Sequence, residues 1–130
     1  MKYTWTEDRG ALQTKLDFGT LTISGNSELG FRPFQLLVSS IAGCSSLVFK
    51  RILEKKRIAY DRMEVEAEVE REKDGVSRVR KITLHFTVTG SNLDQGQVEK
   101  ALAIAAKNCS MVQSVKGAIE VVETVTVREE

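Results

Sequence analysis

Apolar and polar residues alternate between positions 2 and 23 of the chain, as they do in half-buried β-strands. The alternation breaks near Asp8-Arg9-Gly10, which predicts a hairpin turn, and a third short strand is expected through Leu21 and Ile23. From Pro33 to about Arg57 the apolar spacing becomes helical, with proline in the first turn and basic residues in the last. The predicted helix carries one apolar stripe, formed by Leu37, Ile41, Cys44, Val48 and Ile52.

The middle of the chain predicts a long β-hairpin. Residues Met63 to Val69 alternate strictly, with glutamates on one face and apolar side chains on the other. Asp74-Gly75 supplies a turn, and a return strand follows it. The inward side chains of that return strand are Ile82, Leu84, Phe86 and Val88.

A second helix and a last strand complete the predicted fold. The helix is expected to begin at Asp94, a suitable N-cap, and to run toward Cys109. Its buried side is predicted to carry Val98, Leu102 and Ala105. Residues 118–127 form the strand, in which Val121-Val122 suggests a bulge. The order βββ-α-ββ-α-β predicts an α+β fold with helices packed on antiparallel sheet, in a single domain spanning residues 1–130.

Composition narrows the function classes. The chain has 19 Lys and Arg against 18 Asp and Glu, so its net charge of +1 gives no broad attraction to nucleic acid or to an acidic membrane. The N-terminus lacks the features of a signal peptide and no later apolar run approaches membrane-spanning length, so we expect a cytoplasmic protein. Because no zinc motif, glycine-rich phosphate loop or Ser/His/Asp set is present, no metal and no cofactor are predicted.

The two cysteines are the candidate chemical groups, and they are too few for a disulfide scaffold. Cys44 and Cys109 each fall on the apolar stripe of a predicted helix, so their sulfurs are candidates to meet in a shared core. Gly43 indicates that something needs space there, because a mid-helix glycine costs about 1 kcal/mol relative to alanine. Two interpretations remain open. The cysteines are small buried fillers, or one of them is a nucleophile whose thiolate is stabilised by a cation or a helix N-terminus.

The segments around the two cysteines resemble those of a known family. The run from Arg32 to Cys44, RPFQLLVSSIAGC, resembles the OsmC/Ohr motif of a proline, a leucine pair, small residues and a reactive cysteine. Leu93-Asp94, Asn108-Cys109-Ser110 and Val115-Lys116-Gly117 resemble the segment that carries the family's second cysteine. The resemblance covers nearly the whole chain. It implies an OsmC-like fold, in which antiparallel sheets pack on two central cysteine-bearing helices of an intertwined homodimer.

The resemblance also implies a peroxiredoxin-like role in oxidative stress. Well-studied members of the family are thiol-dependent peroxidases that reduce organic hydroperoxides. By that analogy the Cys44 thiolate attacks the O–O bond, and Cys109 resolves the resulting sulfenic acid as a disulfide. An external dithiol reductant then restores both thiols. The alternative is a non-catalytic OsmC-like stress protein that binds a small hydrophobic or thiol-bearing ligand at the dimer interface.

One position departs from the peroxidase pattern. Those branches usually carry a glutamate directly after the motif proline, paired with an arginine that supports the thiolate, whereas this chain has Phe34. Arg9, in the first turn, is the best positional match to that arginine, and Arg32 is the alternative. The chain is therefore more similar to the OsmC-like branch that lacks the carboxylate.

Aromatic residues and the single histidine complete the candidate set. Four aromatic side chains either line an apolar pocket beside the nucleophile or belong to the core: Trp5, Phe18, Phe31 and Phe34. Among them, Phe31 and Phe34 are the candidate substrate-binding residues. His85 is expected to be a solvated residue on the polar face of its strand rather than a metal ligand.

Overall fold

Three short antiparallel strands dominate the first unit of the chain, Met1–Ser39, in the computed structural model, which describes every residue from Met1 to Glu130. They are β1 (Thr4–Trp5), β2 (Leu12–Lys15) and β3 (Thr20–Ile23), in the order β1-β2-β3. Leu12 pairs with Trp5 on one side and with Ile23 on the other. The β-rich start predicted from the alternation is therefore confirmed.

The predicted first turn is also present, and Arg9 is its strained residue. Arg9 has a φ of 59°, in the left-handed region that a residue with a Cβ rarely adopts. The Asp8 carboxylate holds the turn by accepting hydrogen bonds from the Thr6 hydroxyl, at 2.7 Å, and from the Gly10 N–H, at 2.9 Å. The side chain of Arg9 is exposed.

The helix predicted from Pro33 is α1 (Pro33–Lys55), which begins in the first unit and continues into the second, Ser40–Glu130. The chain leaves this helix through Arg57, whose left-handed φ of 55° cannot continue it. The buried stripe in the second unit differs from the predicted one and comprises Ile41, Ser45, Val48, Phe49 and Leu53. Cys44 therefore lies at the edge of the stripe, partly exposed, and Ser45 occupies the core position.

A three-stranded sheet forms the framework of the second unit. Its strands are β4 (Arg62–Arg71), β5 (Val79–Thr89) and β6 (Glu120–Arg128), in the order β4-β5-β6. β4 and β5 form the predicted antiparallel hairpin, but β6 runs parallel to β5. The expectation of purely antiparallel sheet is wrong for this pair, because the helical segment between the two strands returns the chain to the same end of the sheet. The predicted α+β class is confirmed.

The pairing of β6 with β5 is continuous from Glu120 to Arg128, so the bulge predicted at Val121-Val122 is wrong. The register shift in this sheet lies instead between Glu70 and Arg71. On β6 the inward positions are the odd-numbered ones, since Glu123 is directly opposite the fully buried Leu84.

Two helices connect β5 to β6. They are α2 (Gln95–Asn108) and the short α3 (Ser110–Val115). Asp94 is the N-cap of α2 as predicted, and its carboxylate accepts the Gln97 N–H at 3.0 Å. The buried face of α2 consists of Val98, Ala101, Leu102 and Ala105, which confirms the three predicted positions.

The core of the second unit joins α1 to the sheet through an aromatic pair. Phe49 and Phe86 are both fully buried, and their rings meet edge to face with centroids 5.1 Å apart. The opposite face of the sheet is polar, as predicted. At the turn end of the β4–β5 hairpin, Glu70 forms an ion pair with Arg80 at 2.5 Å, and Glu72 does so with Arg78 at 2.6 Å.

α1 is more apolar than the sequence reading allowed. By length and composition it is the one helix able to cross a membrane, with a mean hydropathy of 1.5 over its most apolar stretch, so the expectation that no run approaches spanning length is wrong. This is weak support for a membrane span, because core helices of water-soluble proteins pass the same test. Only 33% of that stretch is buried within this chain.

Candidate redox site

The two cysteine side chains are brought together in the second unit, although they lie 65 positions apart in the sequence. Both are free thiols, and a side-chain hydrogen bond links Cys44 to Cys109. Cys109 is fully buried, whereas Cys44 is partly exposed and can be reached from solvent. The contact unites one accessible sulfur and one buried sulfur.

Cys109 does not belong to the buried face of a helix, as its spacing from Ala105 had suggested. It lies between α2 and α3 with extended backbone dihedrals, φ −83° and ψ 112°, and it serves as the N-cap of α3. Its sulfur accepts the Val112 N–H at 3.5 Å. The prediction that both cysteines sit on helices therefore holds for Cys44 and is wrong for Cys109, because the chain breaks its helical path at the second cysteine.

The break places hydrogen-bond donors against Cys44. The N–H groups in the first turn of a helix have no partner within that helix. In α3 the backbone N–H groups of Ser110 and Met111 point to the Cys44 sulfur. The Ser110 hydroxyl lies 3.7 Å from the same sulfur. The sequence reading missed both residues, because a backbone donor has no side-chain signature.

These contacts change the pKa of Cys44. Burial of the sulfur raises the pKa, but the hydrogen bonds from Met111, Cys109 and Ser110 outweigh that effect and leave the pKa of Cys44 below its ordinary value. A lowered pKa increases the fraction of nucleophilic thiolate at neutral pH.

Cys109 shows the opposite behaviour. Burial raises the pKa of the Cys109 thiol, and its hydrogen bond to Cys44 raises the pKa further. The proton of the pair therefore stays on Cys109, which donates it toward Cys44. The arrangement can support an accessible thiolate and, in contact with it, a protonated thiol.

A second polar pair lies beside Cys44 in the chain. The fully buried hydroxyl of Ser45 donates a short hydrogen bond to Oε1 of Glu123, and Oε2 of Glu123 is buried without a partner. Burial raises the pKa of Glu123, although the Ser45 bond opposes this. The sequence reading missed the pair. Counting in steps of two along β6 from Val125 would have found Glu123 at an inward position.

The remaining site candidates belong to the first unit. The guanidinium carbon of Arg32 lies 4.8 Å from the centroid of the Phe34 ring, so a cation–π contact occupies the position where the peroxidase branches carry a carboxylate. Arg9 is in the strained turn, and the Phe31 side chain is 60% exposed. Support of the Cys44 thiolate by Arg9 or Arg32, and substrate binding by Phe31 and Phe34, stay predictions. Trp5 and Phe18 are exposed, so the core interpretation is wrong for them.

Two further expectations have clear outcomes. A Cβ placed on Gly43 would meet no atom within 4 Å, so nothing in this chain uses the space predicted there. His85 is partly exposed on the outer face of the sheet, where its two ring nitrogens pair with the hydroxyls of Thr124 and Thr126. The histidine is a strand residue with hydroxyl partners, in agreement with its predicted place on the polar face.

Comparison with known proteins decides the family. A family model described as OsmC-like protein matches residues 25–124, which include both cysteines. The chain belongs to the OsmC family. Protein YhfA of Escherichia coli is 28% identical over 119 residues, a match covering 90% of this chain and 89% of YhfA.

Solved structures confirm that the chain has the OsmC fold. A hypothetical protein of Aquifex aeolicus superimposes with a TM-score of 0.87 at 21% identity, covering 99% of this chain and 95% of that one. The organic hydroperoxide resistance protein OhrB of Bacillus subtilis superimposes with a TM-score of 0.71 at 21% identity, covering 96% of each chain. At these identities the likeness shows the fold. Membership in the OsmC family suggests a redox or stress role.

Proposed function

We propose that this OsmC-family protein is a thiol-dependent peroxidase for organic hydroperoxides, with Cys44 as the nucleophile and Cys109 as the resolving cysteine. One observation carries the proposal. The sulfur of Cys44 is partly exposed and accepts hydrogen bonds from the Cys109 side chain and from two backbone N–H groups. The reaction needs a stabilised thiolate, access for the peroxide and a second thiol in contact with the first. The hydrogen bonds favour the thiolate, the partial exposure of Cys44 gives access, and Cys109 is the second thiol.

In the first step the Cys44 thiolate attacks the terminal oxygen of ROOH. The O–O bond breaks, a sulfenic acid forms on Cys44, and RO⁻ leaves. The Cys109 thiol, which is hydrogen-bonded to Cys44, gives its proton to the leaving alkoxide. The products of this step are an alcohol, an oxidised Cys44 and a Cys109 thiolate.

In the second step the new Cys109 thiolate attacks the sulfenic sulfur of Cys44. A disulfide forms and hydroxide leaves, to be protonated to water by solvent. An external dithiol then reduces the disulfide and is itself oxidised. The balance is one hydroperoxide and one dithiol consumed for one alcohol, one water and one oxidised dithiol.

The aromatic residues of the segment before Cys44 favour an organic rather than a highly polar peroxide as substrate. Phe34 replaces the carboxylate of the peroxidase branches, and Phe31 exposes most of its ring. We propose that these aromatic side chains receive the apolar part of the hydroperoxide.

We further propose that two copies of the chain form an intertwined homodimer, since the apolar helix α1 leaves most of its surface uncovered within one chain. A cytoplasmic location would keep both thiols reduced between turnovers.

The test is consumption of cumene hydroperoxide by the reduced protein in the presence of excess dithiol. The unsubstituted protein is expected to turn over, and Cys44→Ser is expected to lower the rate by at least about a hundredfold, because a serine hydroxyl is scarcely ionised at neutral pH. A rate for the unsubstituted protein no higher than that of Cys44→Ser would contradict the proposal.

The exposed Phe31 ring and the Arg32–Phe34 contact favour one second candidate, a module that binds a small hydrophobic or thiol-bearing ligand without turnover. Mass spectrometry of the purified protein distinguishes the two functions. A ligand retained equally by the unsubstituted protein and by Cys44→Ser, together with no peroxide turnover, would favour binding.

A further inference from the structure

Two polar residues occupy core positions where the pattern of each element calls for an apolar side chain. Ser45 lies on the buried stripe of α1 between Ile41 and Phe49, and none of its surface is exposed. Glu123 lies on the inward face of β6, opposite the fully buried Leu84. A hydroxyl or carboxyl left unpaired in such a place destabilises the fold, so the presence of both residues requires an explanation.

The two side chains contact each other. The Ser45 hydroxyl donates to Oε1 of Glu123, and this bond joins the middle of α1 to the centre of β6. Oε2 is buried and has no partner in the chain. A carboxylate with one uncompensated oxygen is costly in such surroundings, and burial accordingly raises the pKa of Glu123.

The position of the bond connects it to the redox site. Ser45 directly follows Cys44 in the chain. Cys44 is bonded to residues 109–111, and Ser45 is bonded to Glu123, which lies in the strand that follows α3. Two successive residues of α1 are therefore held by one continuous segment of the chain. Loosening either attachment changes the distance between the Cys44 sulfur and the N–H groups of α3.

We propose that Glu123 is a positioning residue for the Cys44 thiol, and that its hydrogen bond with Ser45 fixes the turn of α1 against the donors of α3. This inference rests on the proposed function in taking Cys44 as the reactive thiol. In this role Glu123 acts through the hydrogen bond that it accepts from Ser45. An amide of the same shape therefore replaces it, and an apolar side chain of similar volume does not.

The experiment compares the rate of Cys44 alkylation by iodoacetamide at neutral pH, without peroxide, in Cys109→Ser and in variants built on it. Glu123→Leu is expected to slow alkylation about fivefold, the equivalent of one net hydrogen bond, whereas Glu123→Gln stays within about twofold of the parent. Ser45→Ala is expected to match Glu123→Leu. The combined Ser45→Ala and Glu123→Leu variant is expected to be no slower than either alone, because both changes remove the same bond.

Glu99 supplies the matched control. It borders the same pocket of about 290 Å³ as Glu123, but it lies on the exposed side of α2. Glu99→Gln is expected to leave the alkylation rate unchanged. Rates for Glu123→Leu and Ser45→Ala equal to the parent, or multiplicative effects in the combined variant, would overturn the inference. If Glu123→Leu fails to fold, Ser45→Ala and Glu123→Gln still decide the question.

The readout is independent of turnover. If the protein proves to have no peroxidase activity, a slower alkylation in Glu123→Leu still supports the positioning role. If it is an active peroxidase, an unchanged alkylation rate in Glu123→Leu and Ser45→Ala overturns the positioning role alone. A loss of stability without a change in alkylation, measured by thermal unfolding of the same variants, would also count against the inference.

Discussion

Cys44 and Cys109 carry the same thiol in two different surroundings, and the difference assigns their roles. Cys44 lies on a regular helix at the edge of its buried stripe and receives hydrogen bonds from the chain around it. Cys109 lies where the chain leaves one helix and starts another, is fully buried, and donates to its partner. Burial alone would raise both pKa values. Both sulfurs accept backbone N–H groups from the first turn of α3, but only at Cys44 do the hydrogen bonds outweigh the effect of burial.

A thiolate can be stabilised by backbone N–H groups as well as by a side-chain cation. The resemblance implies that Arg9 or Arg32 supports the thiolate. In the structure, the N–H groups of Ser110 and Met111 contact the Cys44 sulfur. Those donors are in place because Cys109 caps α3. The second cysteine therefore contributes twice, as the proton-bearing thiol and as the residue that orients the donors.

The largest predicted effect comes from removing the second thiol. Cys109→Ser is expected to lower steady-state peroxide turnover with a dithiol by about a hundredfold, because the sulfenic acid on Cys44 loses its resolving partner. The first equivalent of peroxide is still expected to react. Trapping with dimedone and mass spectrometry measures this. Steady turnover equal to that of the unsubstituted protein would remove Cys109 from the mechanism.

The pH dependence of labelling tests the opposite pKa directions. The pKa of Cys44 is lowered, so its thiolate and its alkylation rate persist to more acidic pH than those of a free cysteine and decline only as the pH falls through that lowered value. The pKa of Cys109 is raised, so its alkylation begins only at higher pH. At neutral pH we expect Cys44 to react at least about tenfold faster, measured by peptide mapping after brief iodoacetamide treatment. Equal alkylation rates, or faster alkylation of Cys109, would contradict the assignment of Cys44 as the nucleophile.

A smaller effect is expected from removing one backbone donor. Met111→Pro deletes the N–H directed at Cys44 and is compatible with the first turn of a helix. Loss of a hydrogen bond to a charged sulfur is expected to slow Cys44 alkylation about fivefold to tenfold. Gln113→Ala, an exposed change in the same helix, serves as the control. A rate unchanged by Met111→Pro would show that the backbone of α3 does not support the thiolate.

Local features of this fold were predictable because they depend on local periodicity. The hairpin, the helix from Pro33 and the N-cap at Asp94 each follow from the pattern of a few neighbouring residues. The parallel pairing of β6 was not predictable from that strand, because its direction depends on the helices that precede it. The predicted stripe of α1 was correct at Ile41 and Val48 but took Cys44 in place of Ser45. Apolar residues are so frequent in this helix that their spacing does not determine which face is buried.

The site was predictable only in part, for a related reason. The sequence identifies Cys44 and Cys109 as candidates by residue type. The apolar patterns around the two cysteines predict that their sulfurs meet in the core. Two of the donors on Cys44 are backbone N–H groups, which any residue except proline would supply at positions 110 and 111, so the residue types there do not predict them. The inward position of Glu123 was predictable, because it lies two residues before Val125 on the same face of β6. Its bond to Ser45 depends on the true phase of α1, which only the structure gives.

Peroxide titration of the reduced protein, followed by mapping of its cysteines, tests the central claim most directly. With an equimolar amount of an organic hydroperoxide, we expect both thiols to disappear together and an intramolecular bond between Cys44 and Cys109 to form. The contrary result would be two thiols that survive the titration, or a Cys44 that is oxidised to the sulfinic acid while Cys109 remains a free thiol.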